Sequence, residues 1–234
     1  MKKNHLIESS IQAGNEEMRV LVVTAVDAEK EAVLRGLEGK KGVDVITSGV
    51  GSAAAASITA AALAAALIIE GYTLVISAGI GGGFAGKADI GSLVVADQIV
   101  AADLGAETPD GFLSLDELGF GTALAAVSTE WSNRVMDAIR RTELPVCSGA
   151  VLTVTTATGT AKTAEALTLR VPGAAAEAME GYGVAVAAAG FGIPVIELRA
   201  ISNAVGPRDR AAWRIGDALA SLEAASKAIK EVLL

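Results

Sequence analysis

Two stretches of the chain, Arg19 to Ala25 (RVLVVTA) and Leu74 to Ala78 (LVISA), are apolar and β-branched with no polar alternation. That is the pattern of strands covered on both faces, the signature of a parallel sheet between layers of helix. Between them, Asp27 to Gly36 reads as a helix opening on acidic residues that suit the positive end of its dipole. Val43 to Thr47 reads as a strand and Gly51 to Glu70 as a second helix. The Leu74 strand ends in the glycine cluster Gly79 to Gly83, and Ile90 to Ala102 is extended, with no room for a helix before it. Asp103 to Gly121 is irregular and acidic, a loop that could cover a site. A helix near Trp131 to Arg141, a strand over Ala150 to Thr156 and a helix over Thr160 to Arg170 follow. Ala-rich Ala175 to Gly190 is expected to be helical, although Gly181 and Gly183 weaken it. Pro194 to Ala200 reads as a late strand and Asp217 to Leu234 as a closing helix. The alternation predicts an α/β fold, one domain over 18–234 with a mixed, mostly parallel central sheet flanked by helices.

With 234 residues, 52% of them hydrophobic, the chain can bury a single large core. Only 3% are aromatic, so helix-to-sheet packing falls to small and branched aliphatic side chains. The formal charge of -8 argues against nucleic acid as a partner, because such proteins carry a basic patch or stripe. A small neutral or cationic ligand fits better. The lone Cys147 cannot form an internal disulfide, and no Cys/His spacing suggests zinc; a reducing, cytoplasmic setting and no metal are expected. Residues 1–17 carry two lysines without an apolar run behind them, so they read as a flexible extension and not a secretory signal. Ala53 to Ile69 is mainly alanine with Ser57 and Thr59, a helix buried against a sheet and not a membrane span.

Two glycine motifs invite other readings. Gly49-Val50-Gly51-Ser52-Ala53-Ala54 matches a dinucleotide-binding fingerprint between strand and helix, but the next strand ends Ser77-Ala78-Gly79 and lacks the acid that would hold a ribose. Gly81 to Ala88 (GGGFAGKA) approaches a phosphate-binding loop, yet Ala88 has no hydroxyl for magnesium and a strand follows where a helix is needed. What remains is bare backbone at the C-terminal end of a strand, where open α/β sheets bind ligands.

The order of VDAEKE after a strand, then SGVG, SAGIGGG with DIGSLVVAD, AMEG, and LRAISNAVG resembles the purine nucleoside phosphorylase and nucleosidase superfamily from Met18 to the C-terminus. Within it, VAADLGAE, the PDGF of Pro109 to Phe112, LGFG at Leu118 to Gly121 and SNAVGPRDRAAW at Ser202 to Trp213 look most like the futalosine hydrolase family.

The resemblance implies hydrolysis of a purine nucleoside with water. Glu29 falls where hydrolytic members carry the acid that orients and deprotonates the attacking water, and a carboxylate there also steadies an oxocarbenium-like transition state. Read alone, Glu29 is a first-turn helix acid, and its neighbour Glu31 is expected to be solvated. Glu180 matches the glutamate that accepts from both ribose hydroxyls, with Met179 packing on the sugar face. Read alone, these are a solvent-facing helix residue and core filler. Asn203 replaces the aspartate with which adenine-cleaving members protonate the base; its amide can pair with a 6-oxopurine such as hypoxanthine. Read alone, it caps a turn. The backbone of Gly79, Ile80, Gly81 and Gly82 is expected along the nucleoside.

Arginines that would bind a phosphate co-substrate are missing from VDAEKE and SAGIGGGFAGK, where Lys87 is the only nearby cation, so water is the expected nucleophile. Arg208 and Arg210 either meet a substrate carboxylate or pair with Asp209 or Asp217 at the surface. His5 is not expected to take part. No organic cofactor is implied, and a homo-oligomer, dimer or larger, is expected, with Ala53 to Ala66 suited to subunit contact. The rival substrates are methylthioadenosine, adenosylhomocysteine or inosine, and the rival class is a non-catalytic nucleotide-binding module.

Overall fold

A computed structural model describes residues 18–68 and 70–233; the expected extension over 1–17 lies outside them. In chain order the elements are β1 (Val20–Thr24), α1 (Asp27–Leu37), β2 (Val43–Thr47), α2 (Ser52–Ala66), β3 (Leu74–Gly83), β4 (Leu93–Ala101), β5 (Gly105–Thr108), β6 (Gly111–Ser114), β7 (Leu124–Ala125), α3 (Thr129–Arg140), β8 (Val146–Thr153), α4 (Ala161–Arg170), β9 (Ala174–Ala178), α5 (Gly181–Gly190), β10 (Val195–Ala204) and α6 (Ile215–Ile229).

The main sheet is mixed and mostly parallel. β1 pairs in parallel with β2 and β3, β3 with β10, β4 with β8, and β8 with β9. The antiparallel pairs are β4 with β10, β3 with β9, and β4 with β7. All five residues of β1 are buried because the sheet is covered on both faces. Val20 and Val22 pack with Leu74 and Ile76 against Ala32 and Val33 of α1 and Ala218, Leu222 and Ala225 of α6. Leu21 and Val23 point the other way, toward Ala55 and Leu63 of α2 and Val184 and Ala188 of α5. On that second face α2 and α5 approach each other closely, since a side chain at Gly183 would collide with the Ser52 backbone.

Three local expectations need correction. The glycine cluster does not end β3 but continues it. The Leu74 to Ser77 half pairs with β1 and the glycine end with β9, while β10 follows almost the whole strand. Glycine is required there for space. A Cβ on Gly81 would sit 2.8 Å from the Glu177 carbonyl oxygen, and one on Gly83 would strike the Ala88 carbonyl. Secondly, Ala175 to Gly190 is not one helix. Ala174–Ala178 is a strand buried at every position, because pairing with β3 and β8 overrides alanine's helical preference. Lastly, Asp103 to Gly121 contains the β5–β6 hairpin, which contributes no residue to the cavity described next.

Candidate active site

β1 and β9 both flank β3, one at each end of it, and the chain leaves β1 just where the sheet opens. That divergence leaves a cavity of about 330 Å³ at the C-terminal ends of the strands, lined by Glu29, Ile80, Gly81, Gly82, Met179, Glu180, Asn203 and Arg208. Of the backbone positions expected along the nucleoside, Gly79 does not line it.

Glu29 sits in the first turn of α1 and is 3% exposed. Its Oε2 accepts from the Ala25 N–H at 2.9 Å and the Val26 N–H at 3.2 Å, and its Oε1 accepts from the Ile80 N–H at 2.8 Å. The helix-start role and the cavity role therefore coincide. A carboxylate offers about four acceptor positions, so three backbone donors fix its plane and leave room for one more. Glu31 is exposed.

Glu180 precedes α5 and is 6% exposed, which excludes a solvent-facing helix residue. Its Oε1 accepts from the Gly51 N–H at 3.2 Å, and its Oε2 from the Met179 N–H at 3.3 Å. The Gly49-Val50-Gly51 turn, with both glycines at positive φ (83° and 99°), thus presents its amide to a carboxylate, where a nucleotide phosphate would be repelled. Met179 is half-buried. Asn203 is half-buried too; its Oδ1 accepts from Ser202 Oγ at 2.8 Å and its Nδ2 donates to the Ala204 carbonyl at 3.0 Å. One amide proton and one lone pair remain for a ligand.

A cation missed in the sequence stands behind these acids. Arg199, in the middle of β10, is 1% exposed. Its Nε donates to Glu197 Oε1 at 2.8 Å, its Nη2 to Ser77 Oγ at 3.1 Å, and its Nη1 lies 3.4 Å from Glu180 Oε2. Lys87 is exposed and lines no part of the cavity, so the cation nearest the acids is Arg199. Glu197 is fully buried; its second oxygen has no partner among the described residues and fits only because Gly181 has no side chain. Burial pushes its carboxyl up, against the opposing pull of Arg199. The signal was in PVIELRA: two opposite charges at i and i+2 of an apolar strand share one face.

Glu177 also escaped notice, since it was assigned to a helix. It lines the cavity at 7% exposure, one oxygen accepting from the Thr158 N–H at 2.8 Å and the other from the Thr158 hydroxyl. Burial pushes this carboxyl up as well, while the two Thr158 bonds hold it down.

At the cavity mouth Arg208 stacks over Trp213 at 5.2 Å. The surface pairings anticipated for Arg208 and Arg210 do not form: Asp217 pairs with Arg214 at 2.6 Å, and Asp209 accepts from the Ala211 N–H at 3.0 Å. Arg210 is exposed and outside the cavity lining. Among the described residues no cluster of three or more His, Cys, Asp or Glu is placed to hold a metal ion.

The family profile described as phosphorylase superfamily matches residues 17–234. A futalosine hydrolase of Streptomyces coelicolor is 53% identical over 232 residues, covering 92% of this chain and 97% of the relative. The futalosine hydrolase of Acidothermus cellulolyticus is 47% identical, covering 89% of each. The solved structure of a Helicobacter pylori futalosine hydrolase superposes with a TM-score of 0.78 over 92% of this chain and 98% of that one, at 18% identity, which speaks for the fold. The chain belongs to the phosphorylase superfamily and groups there with the futalosine hydrolases.

Proposed function

We propose that this enzyme hydrolyses the N-glycosidic bond of futalosine, giving hypoxanthine and dehypoxanthinyl futalosine on the route to menaquinone. The observation that carries the reading is the convergence of Glu29 and Glu180 on one cavity, with Arg199 between the sheet and both. Glu180 accepts from the ribose hydroxyls while Met179 packs on the sugar. Water accepted at the free position of Glu29 attacks C1′. The C1′–N9 bond breaks with its electron pair leaving on the purine, Glu29 takes a proton from the water, and the purine takes one up from solvent or a donor at the base. Asn203 contacts the purine.

Phosphate is disfavoured as nucleophile for a physical reason. Arg199 is engaged by Glu197, Ser77 and Glu180, so a phosphate beneath the sugar would meet the carboxylates of Glu29 and Glu180 with the cation beside them already committed. Arg208, over Trp213, is placed to meet the carboxylate at the far end of futalosine. We assign the enzyme to the cytoplasm as a homo-oligomer. Half-buried Cys147 suits a reducing setting, and the apolar cleft that the starts of α2 and α5 form with Ala101 and Leu104, with Val50 56% and Val186 47% exposed, suits contact with a second copy.

The deciding experiment incubates the protein with futalosine, methylthioadenosine and inosine in phosphate-free buffer and follows free base by chromatography. The reading expects the highest catalytic efficiency for hypoxanthine from futalosine. Adenine released from methylthioadenosine at higher efficiency overturns it.

A further inference from the structure

Three strands bring Glu177, Gly82 and Asn203 into one row. Gly82 of β3 is in register with Glu177 of β9 on one side and with Asn203 of β10 on the other. Residues directly opposite one another in paired strands share a face. With strands roughly 4.8 Å apart, the two outer residues stand about 10 Å from each other, and the position between them has no side chain. A Cβ on Gly82 would come 2.9 Å from Val205 Cγ2 and 3.2 Å from Asn203 Nδ2, so only glycine fits there. The row is therefore a floor of bare backbone with an amide at one end and a carboxylate at the other, and all three residues line the cavity that holds Glu29 and Glu180.

The carboxylate of Glu177 has a use to be explained. It is buried, and its bonding partner is the uncharged Thr158, one donor to each oxygen. Burying a carboxylate without a cation is unfavourable unless donors satisfy it. Two of about four acceptor positions are filled by Thr158, which fixes the carboxylate plane and leaves the others for a donor arriving in the cavity. A flat 6-oxopurine presents such a donor, N1–H, beside its O6 acceptor. Adenine presents a lone pair at N1, which a carboxylate repels.

Resting on the nucleosidase reading above, we propose that Glu177, held by Thr158, is the residue that selects a 6-oxopurine, accepting N1–H from a base that lies over Gly82 with its other edge toward Asn203. Selection is then divided between an acceptor-only group at N1 and an amide that serves either sense of hydrogen bond. Asn203 by itself tolerates both bases; Glu177 sets the preference.

The test is calorimetric titration of the wild-type enzyme with hypoxanthine, 1-methylhypoxanthine and adenine, then of Glu177→Gln with the same three. A hydrogen bond to a charged group predicts at least about tenfold tighter binding of hypoxanthine than of 1-methylhypoxanthine by the wild type. Glu177→Gln, whose amide can donate to N1 of adenine, should shift the hypoxanthine-to-adenine affinity ratio toward adenine by about tenfold or more. Equal wild-type affinity for hypoxanthine and its N1-methyl form, or no binding of either, overturns the assignment whether or not the variant folds. An unchanged ratio in a folded variant overturns it too. Turnover of futalosine is scored separately. An enzyme active on futalosine yet indifferent to N1 methylation loses the Glu177 role and keeps the function. One inactive on futalosine but sensitive to N1 methylation loses the substrate and keeps the role.

Discussion

The guanidinium of Arg199 stands 3.4 Å from the carboxylate of Glu180, with both side chains buried, so the group proposed to grip the sugar is itself gripped from beneath. Arg199 also bonds Glu197 and Ser77. Removing it strands Glu197 and Glu180 without their cation, and breaking a buried pair in this way costs about 3–5 kcal/mol. Arg199→Met should lose that much in urea denaturation. Arg199→Lys, which restores charge but not the planar fork, should fall between. A loss under about 1 kcal/mol for Arg199→Met would mean that the cluster is not a structural unit.

Gly79 is the point where the two halves of the site touch. A Cβ there would lie 2.6 Å from Glu29 Oε1 and 2.7 Å from Arg199 Nη1, and neither group can retreat without losing hydrogen bonds. Gly79→Ala should cost about 1–3 kcal/mol of stability and lower kcat at least about tenfold by displacing Glu29. Steady-state kinetics together with thermal melting check both; a variant with wild-type kcat contradicts the packing argument.

Burial pushes the carboxyls of Glu177 and Glu197 up. A raised folded value means that the folded protein holds the proton more tightly than the unfolded chain. The associated stability is complete below the unfolded carboxyl value of about 4.3, and it is lost as pH rises through the folded value. Glu177→Gln removes one such group. Its unfolding free energy should therefore fall less steeply with pH above about 4.3, by at most about 1.4 kcal/mol per pH unit. Denaturant titrations at a series of pH values measure this slope, and an equal or steeper one in the variant refutes it.

Arg208 is exposed at the mouth and leans on Trp213. If it meets the carboxylate of futalosine, Arg208→Ala should raise KM for futalosine about five- to tenfold with kcat little changed. Inosine, which has no such carboxylate, should be unaffected. Equal effects on both substrates would remove this role.

β1 and the first half of β3 were readable because β-branched runs without alternation have one good home, a sheet covered on both faces; the edge strand Val43–Thr47, with Asp44 exposed, also matches residue for residue. Ala174–Ala178 was not, because alanine carries no period and its place is decided by what β3 and β8 need beside them. Glu29, Met179, Glu180 and Asn203 were picked out by motif order, and they line one cavity. Glu177 was hidden by the helix assigned over it. Arg199 and Glu197 were visible as a charged pair in an apolar strand, but only the register of β10 against β3 reveals that Ser77 and Gly79 lie opposite them.

The proposed mechanism turns on Glu29, whose three backbone bonds orient it and leave one acceptor position open. The most direct test compares wild type and Glu29→Gln for single-turnover release of hypoxanthine from futalosine, with hypoxanthine affinity measured on the same samples. The account predicts a rate lower by about 10²–10⁴ with affinity within about threefold, a difference of under 1 kcal/mol. A Glu29→Gln enzyme that releases hypoxanthine at the wild-type rate would contradict it.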